Sequence, residues 1–255
     1  MSVPSIFANG RRAIAHRGAS RDCPENTIEA FDEALRQGCD AIELDLQLTR
    51  DGIPVVYHDR TLHKLTRRRH RIATRNLSEL RRLDAGAWFD ERFAGERIPT
   101  LTEVLERYAG QTHLLLELKL RSDQATRLRL ARTVAEIVDQ AGLTDRVHLL
   151  CFDPELLEAA RAAHDVRTVL NVGRVVPRGT ASKDRLDRLD AISVDVRALG
   201  RPVVAAARRA GLPLLVFTSN REDEVDRALR AGANGVMSDR PGWLRSTLDL
   251  RQVGP

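Results

Sequence analysis

The chain has 255 residues, of which 42% are hydrophobic and 30% are charged, a balance typical of a globular protein. No apolar run approaches the roughly 20 residues that a membrane-spanning helix needs, and the first residues lack the pattern of a signal peptide, so we expect a cytoplasmic protein without a transmembrane segment. The three cysteines are too scattered for a disulfide framework or a metal cluster, and the net charge of +5 is carried almost entirely by arginine.

Two predicted strands near the amino terminus carry the first candidate site residues. Residues 13–16 are predicted as a short strand, 24–37 as a helix and 39–48 as the second strand. Glu43 and Asp45 are two residues apart on that second strand, so their side chains leave the same face. Adjacent carboxylates repel each other unless a positive charge lies between them, and a bound divalent cation is the usual reason to keep such a pair.

A hairpin is predicted directly after these carboxylates. Asp51-Gly52 is a strong two-residue turn signal between two extended runs. A two-residue loop would pair Arg50 with Ile53, Gln47 with Val56, and Asp45 with His58. That register brings His58 onto the face of the strand that carries the carboxylates.

The candidate site therefore includes two histidines. His16 ends the first predicted strand and reaches His58 if the first two strands are neighbours. Two histidines beside a metal-held phosphate are suited to general acid and general base chemistry. Asp59 follows His58 directly, and neighbours on a strand point to opposite faces, so we do not predict a pair between them.

Residues 60–99 break the regular pattern and are predicted as a subdomain inserted after the second strand. An arginine-rich run at 67–71 is interpreted as a solvated loop, or alternatively as a contact for a polyanion or a membrane surface. Trp88, Phe89 and Phe93 either pack the insertion down or hold acyl chains. Thr100 is a predicted N-cap of the next helix, with Glu103 completing a capping box.

From residue 113 onward, predicted strands and helices alternate. Nine strand-like runs are counted in all, and residues 53–58 must return antiparallel because a two-residue turn cannot join parallel strands. Eight parallel runs remain, which predicts a TIM (β/α)8 barrel, with an open doubly wound sheet as the alternative. Such barrels carry their chemistry at the carboxyl ends of their strands. The predicted strand ends carry these candidate residues: His16, Glu43, Asp45, Glu117, Lys119, Thr218, Asn220 and Asp239.

Glu117 lies within the apolar run 114–120, where a glutamate must be paired or liganded. An ion pair with Lys119, two residues on and on the same face, is one interpretation, and ligation of a cation is the other.

Several short motifs occur in the order found in the glycerophosphodiester phosphodiesterase family, which this chain resembles over about nine-tenths of its length. The motifs are His16-Arg17-Gly18, Glu25-Asn26-Thr27, Glu43-x-Asp45, Asp51-Gly52, His58-Asp59, Glu117-x-Lys119 and Ser238-Asp239-Arg240-Pro241. The family often has Trp where Phe217 stands and Ser where Cys151 stands, and both positions line the barrel mouth in the family.

The resemblance implies a single barrel domain over residues 1–255, with the insertion at 60–99. It also implies hydrolysis of small-molecule glycerophosphodiesters to sn-glycerol 3-phosphate and an alcohol, without a nucleic-acid partner. The roles implied are His16 and His58 in catalysis, Glu43, Asp45 and Glu117 on a divalent cation, and Arg17, Lys119 and Phe217 on the substrate.

All-oxygen ligation suits Mg²⁺ or Ca²⁺ better than Zn²⁺. A lysophospholipase D or phospholipase-type enzyme and a non-catalytic polyanion-binding barrel are the alternative functions. The oligomeric state does not follow from the sequence.

Overall fold

Eight parallel strands form a closed barrel in the computed structural model, which describes residues 6–7, 10–174 and 182–251. The barrel strands are β1 (Arg12–His16), β2 (Ala41–Leu48), β4 (His113–Leu118), β5 (Val147–Cys151), β6 (Arg167–Val172), β7 (Ala191–Asp195), β8 (Leu214–Phe217) and β9 (Gly235–Ser238). β1 pairs with both β9 and β2, so the sheet closes on itself. The predicted (β/α)8 barrel is confirmed, and its first two strands are neighbours, which is the condition for His16 to reach His58. Residues 1–5 and 8–9, part of the start from which no signal peptide is predicted, lie outside the described residues.

Helices surround the barrel. Their bounds are α1 (Ile28–Arg36), α2 (His63–Thr66), α3 (Leu77–Leu80), α4 (Leu101–Tyr108), α5 (Gln124–Gln140), α6 (Pro154–Ala163), α7 (Lys183–Leu186), α8 (Pro202–Arg209), α9 (Glu222–Arg230) and α10 (Pro241–Leu250). The predicted capping box of α4 is confirmed, because Thr100 and Glu103 each accept the other's backbone N–H. α1 begins later than predicted, since Asn26 has a positive φ of 61° and Thr27 is the N-cap. Among the described helices, none is both long and apolar enough to cross a bilayer.

The barrel interior is filled by two apolar layers, each built from alternate strands. One layer is formed by Ile14, Leu115, Val169 and Leu215, and the other by Ala41, Leu150, Ala191 and Met237. Phe7 belongs to the same buried cluster. Side chains alternate along a strand, so the intervening residues pack against the helices instead. The next inward-facing residues, two positions further along each strand, lie at the carboxyl-terminal mouth.

The hairpin after β2 differs from its predicted register by one residue. The observed register with β3 (Pro54–Val56) pairs Leu46 with Val56, Gln47 with Val55, and Leu48 with Pro54. Thr49 closes the loop, because its backbone N–H donates to Ile53 O at 3.0 Å and its hydroxyl accepts from Ile53 N at 2.8 Å. The loop therefore holds three residues, with Gly52 at φ 84° supplying the left-handed position.

The segment between β3 and α4 has a small buried cluster of its own. Its members are Val55, Tyr57, Leu62, Ile72, Leu80, Ala85 and Ile98. The arginine-rich run lies after α2, where Leu62 N donates to His70 O at 2.7 Å across the base of the loop. Arg67, Arg68 and Arg69 are exposed on it. This segment therefore packs through its own apolar residues while presenting arginines to the solvent.

Candidate active site

Three carboxylates from neighbouring strands converge at the carboxyl-terminal mouth of the barrel. Glu43 and Asp45 come from β2, and Glu117 comes from β4, where it is the register partner of Asp45. One oxygen of each acid lies within 4.8 Å of the others. Glu43 and Asp45 are 2% and 1% exposed, so water does little to screen their mutual repulsion. The parallel register of β2 and β4 thus produces the acidic cluster.

Two cationic side chains enter this cluster. Lys119 Nζ lies 2.7 Å from Glu117 Oε1 and 3.1 Å from Asp45 Oδ1, and Arg17 Nε lies 3.2 Å from Asp45 Oδ2. The Glu117–Lys119 ion pair is therefore present, and Glu117 also belongs to the acidic cluster. Burial alone would lower the pKa of Lys119, but Asp45 and Glu117 raise it above its ordinary value. Both cations can thus face an anionic group while remaining charged.

The acids are not equivalent. Burial and the charges of Asp45 and Glu117 raise the pKa of Glu43 well above its ordinary value. Burial would also raise the pKa of Asp45, but Lys119 and Arg17 hold it below its usual range. Three carboxylates that converge from two strands offer the oxygen donors that hard divalent cations prefer. The donor set therefore fits a divalent cation.

His16 has an aspartate partner on the last barrel strand's loop. Its Nδ1 lies 2.6 Å from Asp239 Oδ1. Asn220 Nδ2 donates to Asp239 Oδ2 at 2.7 Å, and the Ser20 hydroxyl donates to Asp239 Oδ1 at 3.2 Å. Burial opposes ionisation of Asp239, but the contacts with His16 and Asn220 hold its pKa below the ordinary value. These contacts fix the orientation of the His16 ring.

His58 also has an aspartate partner, contrary to the prediction that Asp59 points away from it. His58 Nδ1 lies 3.0 Å from Asp59 Oδ1. The prediction was wrong because β3 ends at Val56, so the alternation of a strand does not extend to these residues. Lys64 Nζ lies 3.2 Å from Asp59 Oδ2. The hydrogen bond to His58, together with Lys64, lowers the pKa of Asp59 to about 2.

Lys64 links the His58–Asp59 pair to Glu25, which in turn contacts Arg17 beside the acidic cluster. Its Nζ lies 2.7 Å from Glu25 Oε1, and Arg17 Nη1 lies 3.1 Å from Glu25 Oε2. Lys64 Nζ also lies 4.4 Å from the centre of the Trp88 ring. One oxygen of Glu25 and one of Asp59 lie within 4.8 Å of a His58 ring nitrogen, a second group with the donors of a cation site. Lys64 already places a positive charge beside Glu25 and Asp59, the two carboxylates of this second group.

Two pairs of aromatic side chains lie at different parts of the mouth. Phe217 ends β8, and its ring meets that of Phe152 edge-to-face, with the centres 6.0 Å apart. Phe152 follows β5 and is 36% exposed. Trp88 and Phe89, from the insertion, make a similar edge-to-face contact at 5.6 Å.

The structure brings together most of the residues that the sequence singled out. Glu43, Asp45, Glu117, Lys119 and Arg17 lie in one cluster, as described above. Lys64 was missed because neither its spacing nor its neighbours distinguish it from a surface lysine. The contact of Asp59 with His58 was missed because the predicted strand was extended to residue 58, whereas β3 ends at Val56. Asp239 was noted as a residue at a strand end and as part of the motif Ser238-Asp239-Arg240-Pro241, without a predicted contact with His16.

Comparison with known proteins places this geometry in context. The model of the glycerophosphoryl diester phosphodiesterase family matches residues 16–243. A glycerophosphodiester phosphodiesterase of Caldanaerobacter subterraneus is 33% identical over 234 residues, covering 91% of this chain and 95% of the relative.

Solved structures show the same fold. A phosphodiesterase of Oleispira antarctica, solved in complex with the product sn-glycerol-3-phosphate, is 30% identical with a TM-score of 0.83, over 96% of this chain and 99% of the other. A glycerophosphodiester phosphodiesterase of Agrobacterium tumefaciens is 28% identical with a TM-score of 0.73, over 92% and 97% of the two chains.

Proposed function

The chain belongs to the glycerophosphoryl diester phosphodiesterase family and is an enzyme of that class, and from this premise we propose a metal-dependent reaction with two histidines as acid and base. The substrate is a water-soluble glycerophosphodiester, and the products are sn-glycerol 3-phosphate and an alcohol. We further propose that residues 1–255 act as one domain, with residues 60–99 inserted beside its mouth.

The acids and cations provide the phosphate site in this proposal. Glu43, Asp45 and Glu117 hold Mg²⁺ or Ca²⁺, which polarises the phosphate oxygens when bound. Arg17 and Lys119 face the remaining non-bridging oxygens and neutralise charge as it shifts during transfer. Their burial strengthens these interactions, because less water competes for the same charges. Phe217 packs against the carbon skeleton of the substrate.

The two histidines move the protons. One ring accepts a proton from the nucleophile, which is water or a glycerol hydroxyl that passes through a cyclic phosphate. The other ring donates a proton to the departing alkoxide. Asp239 and Asp59 each accept from the Nδ1–H of one ring, which leaves Nε2 of His16 and of His58 free to exchange the proton.

The observation that supports this proposal most directly is the convergence of one oxygen from each of three acids within 4.8 Å, with an arginine and a lysine beside them. A coupled assay for released sn-glycerol 3-phosphate tests it. Glycerophosphocholine, glycerophosphoethanolamine and glycerophosphoglycerol are compared in Mg²⁺, Ca²⁺ or chelator. We expect turnover with a divalent cation only, and full activity in chelator would refute the metal role.

A lipid substrate is the second candidate function, resting on the aromatic residues of the insertion. Trp88 is 37% exposed, but Phe89 makes edge-to-face contacts with both Trp88 and Phe93. These contacts show how the three rings pack within the insertion, which favours a small water-soluble substrate. Lysophosphatidylcholine and glycerophosphocholine have the same head group, so the ratio of their turnover rates separates the two functions.

A further inference from the structure

Asn171 on β6 and Ser193 on β7 form a polar pair inside the barrel. The two residues are register partners on neighbouring parallel strands. Val169 and Ala191, two positions earlier on the same strands, belong to the interior apolar cluster, so Asn171 and Ser193 also point inward. Asn171 is 4% exposed, and Ser193 is fully buried.

The side chain of each member has an oxygen without a hydrogen-bond partner. Asn171 Oδ1 and Ser193 Oγ have no hydrogen-bond partner among the residues that the structure describes. An unpaired polar atom at such depth is destabilising, and most buried polar atoms in proteins have a partner. An amide can present either its oxygen or its NH₂ group to a partner after a half-turn. The pair is therefore equipped to donate to and accept from a bound molecule.

The layering of the barrel places this pair in the candidate active site. Two positions beyond the first apolar layer, the same four strands supply His16, Glu117, Asn171 and Phe217. Two positions beyond the second layer, β2 supplies Glu43, β7 supplies Ser193, and Asp239 directly follows β9. In an eight-stranded barrel, β6 lies opposite β1 and β7 lies opposite β2. Asn171 and Ser193 thus form the wall that faces His16 and Glu43.

We propose that Asn171 and Ser193 bind the hydroxyl groups of the glycerol arm of the substrate; this inference rests on the proposed function. The glycerol arm is the part shared by all glycerophosphodiesters, so a deep and polar wall of fixed size suits it. The variable alcohol is directed outward to the mouth. The Phe152–Phe217 pair packs against the glycerol carbons, while the amide and hydroxyl replace the water that the glycerol hydroxyls lose.

This wall would also make the enzyme selective. A site built to hydrogen-bond a substrate hydroxyl rejects an analogue without it, because the buried polar groups are then left unpaired. We therefore expect the protein to bind sn-glycerol 3-phosphate more tightly than propyl phosphate, which has the same phosphate and carbon chain without hydroxyls.

Calorimetric titration with these two phosphates, in the presence of Mg²⁺ or Ca²⁺, tests the assignment without relying on turnover. Asn171→Leu and Ser193→Ala each remove one polar partner, and Ser193→Ala does so with little change in volume. We expect each substitution to weaken sn-glycerol 3-phosphate binding about 10-fold and to leave propyl phosphate binding unchanged. Thr168→Val is the matched control, because Thr168 carries a buried hydroxyl on β6 that accepts from Arg161 Nη1 at 3.4 Å on the helix side.

The outcomes separate the two proposals. Unchanged sn-glycerol 3-phosphate affinity in a folded Ser193→Ala variant, or equal loss for both phosphates, would overturn the hydroxyl site while the hydrolase assignment stands. Equal affinity of the wild-type protein for the two phosphates would overturn it as well. A wild-type protein that binds neither phosphate and hydrolyses no glycerophosphodiester would overturn both the hydroxyl site and the proposed function.

Discussion

His16 and Asp239 lie at opposite ends of the sequence, yet His16 Nδ1 and Asp239 Oδ1 are 2.6 Å apart. The closure of the barrel by the β1–β9 pairing brings them together. In the proposed mechanism the carboxylate accepts from the Nδ1–H of His16, and Nε2 is the atom that transfers the proton. Asp239 is thus a positioning residue for His16 in the proposed mechanism.

Asp239→Asn is therefore expected to lower kcat by roughly 10²- to 10³-fold with little change in KM. An amide can bind the histidine ring in the wrong tautomer and carries no charge to stabilise the imidazolium. Steady-state kinetics with a glycerophosphodiester measures the split between kcat and KM. Metal binding, followed by the thermal shift on adding Mg²⁺ or Ca²⁺, serves as the control and should be retained. A kcat close to that of the wild-type protein would remove Asp239 from the mechanism.

The two histidines are expected to be individually essential. His16→Ala and His58→Ala should each lower kcat by roughly 10²- to 10⁴-fold while the protein remains folded, since each ring transfers a proton in the transition state. His164→Ala provides a matched control, because His164 also contacts an aspartate, Asp139, at 2.9 Å but lies at the end of α6. Near-wild-type turnover in either of the first two variants would contradict the assignment.

The acidic cluster predicts a link between metal binding and stability. Adding Mg²⁺ or Ca²⁺ at about 100 times its Kd should raise Tm by roughly 5–10 °C, because the cation binds the folded state and relieves repulsion among buried carboxylates.

Glu43→Gln should raise the Tm of the metal-free protein, since it removes the acid whose pKa burial and neighbouring charges raise. The same substitution should reduce the metal-dependent rise and abolish turnover. Scanning calorimetry with and without chelator measures both effects, and a Glu43→Gln protein with an unaltered metal response would exclude Glu43 as a ligand.

Asp59 predicts a pH dependence of stability. Its pKa in the folded protein is lowered to about 2, chiefly by the hydrogen bond to His58, so its ionised form stabilises the fold. That contribution is fully present above the ordinary aspartate pKa of about 4 and is lost as the pH falls from about 4 to 2. The stability difference between the wild-type protein and Asp59→Asn should therefore shrink across this interval. Urea denaturation at pH 6, 4 and 3 measures it, and a constant difference would show that the contact contributes nothing to stability.

The barrel and the shared face of Glu43 and Asp45 followed from the sequence, because both depend on local information, whereas the place of Glu117 beside them was implied only by the family resemblance. Alternating strand and helix patterns, short connections and an antiparallel hairpin left eight parallel strands, for which a closed barrel was predicted and an open doubly wound sheet was the alternative. Glu43 and Asp45 share a face of one strand by alternation alone. The capping box at Thr100 likewise needs only the four residues 100–103.

The tertiary structure decided what the local pattern leaves open. The loop before Ile53 holds one residue more than predicted, and the register of β3 is shifted accordingly. β3 also ends earlier than predicted, so Asp59 is able to contact His58. The contacts of Asp239 with His16, and the positions of Asn171 and Ser193, depend on how strands far apart in sequence are staggered when the barrel closes. Short-range patterns determine which face of a strand a side chain occupies. The partner that this side chain meets across the barrel depends on loop lengths and on the stagger of the strands, and no single segment of the sequence encodes these.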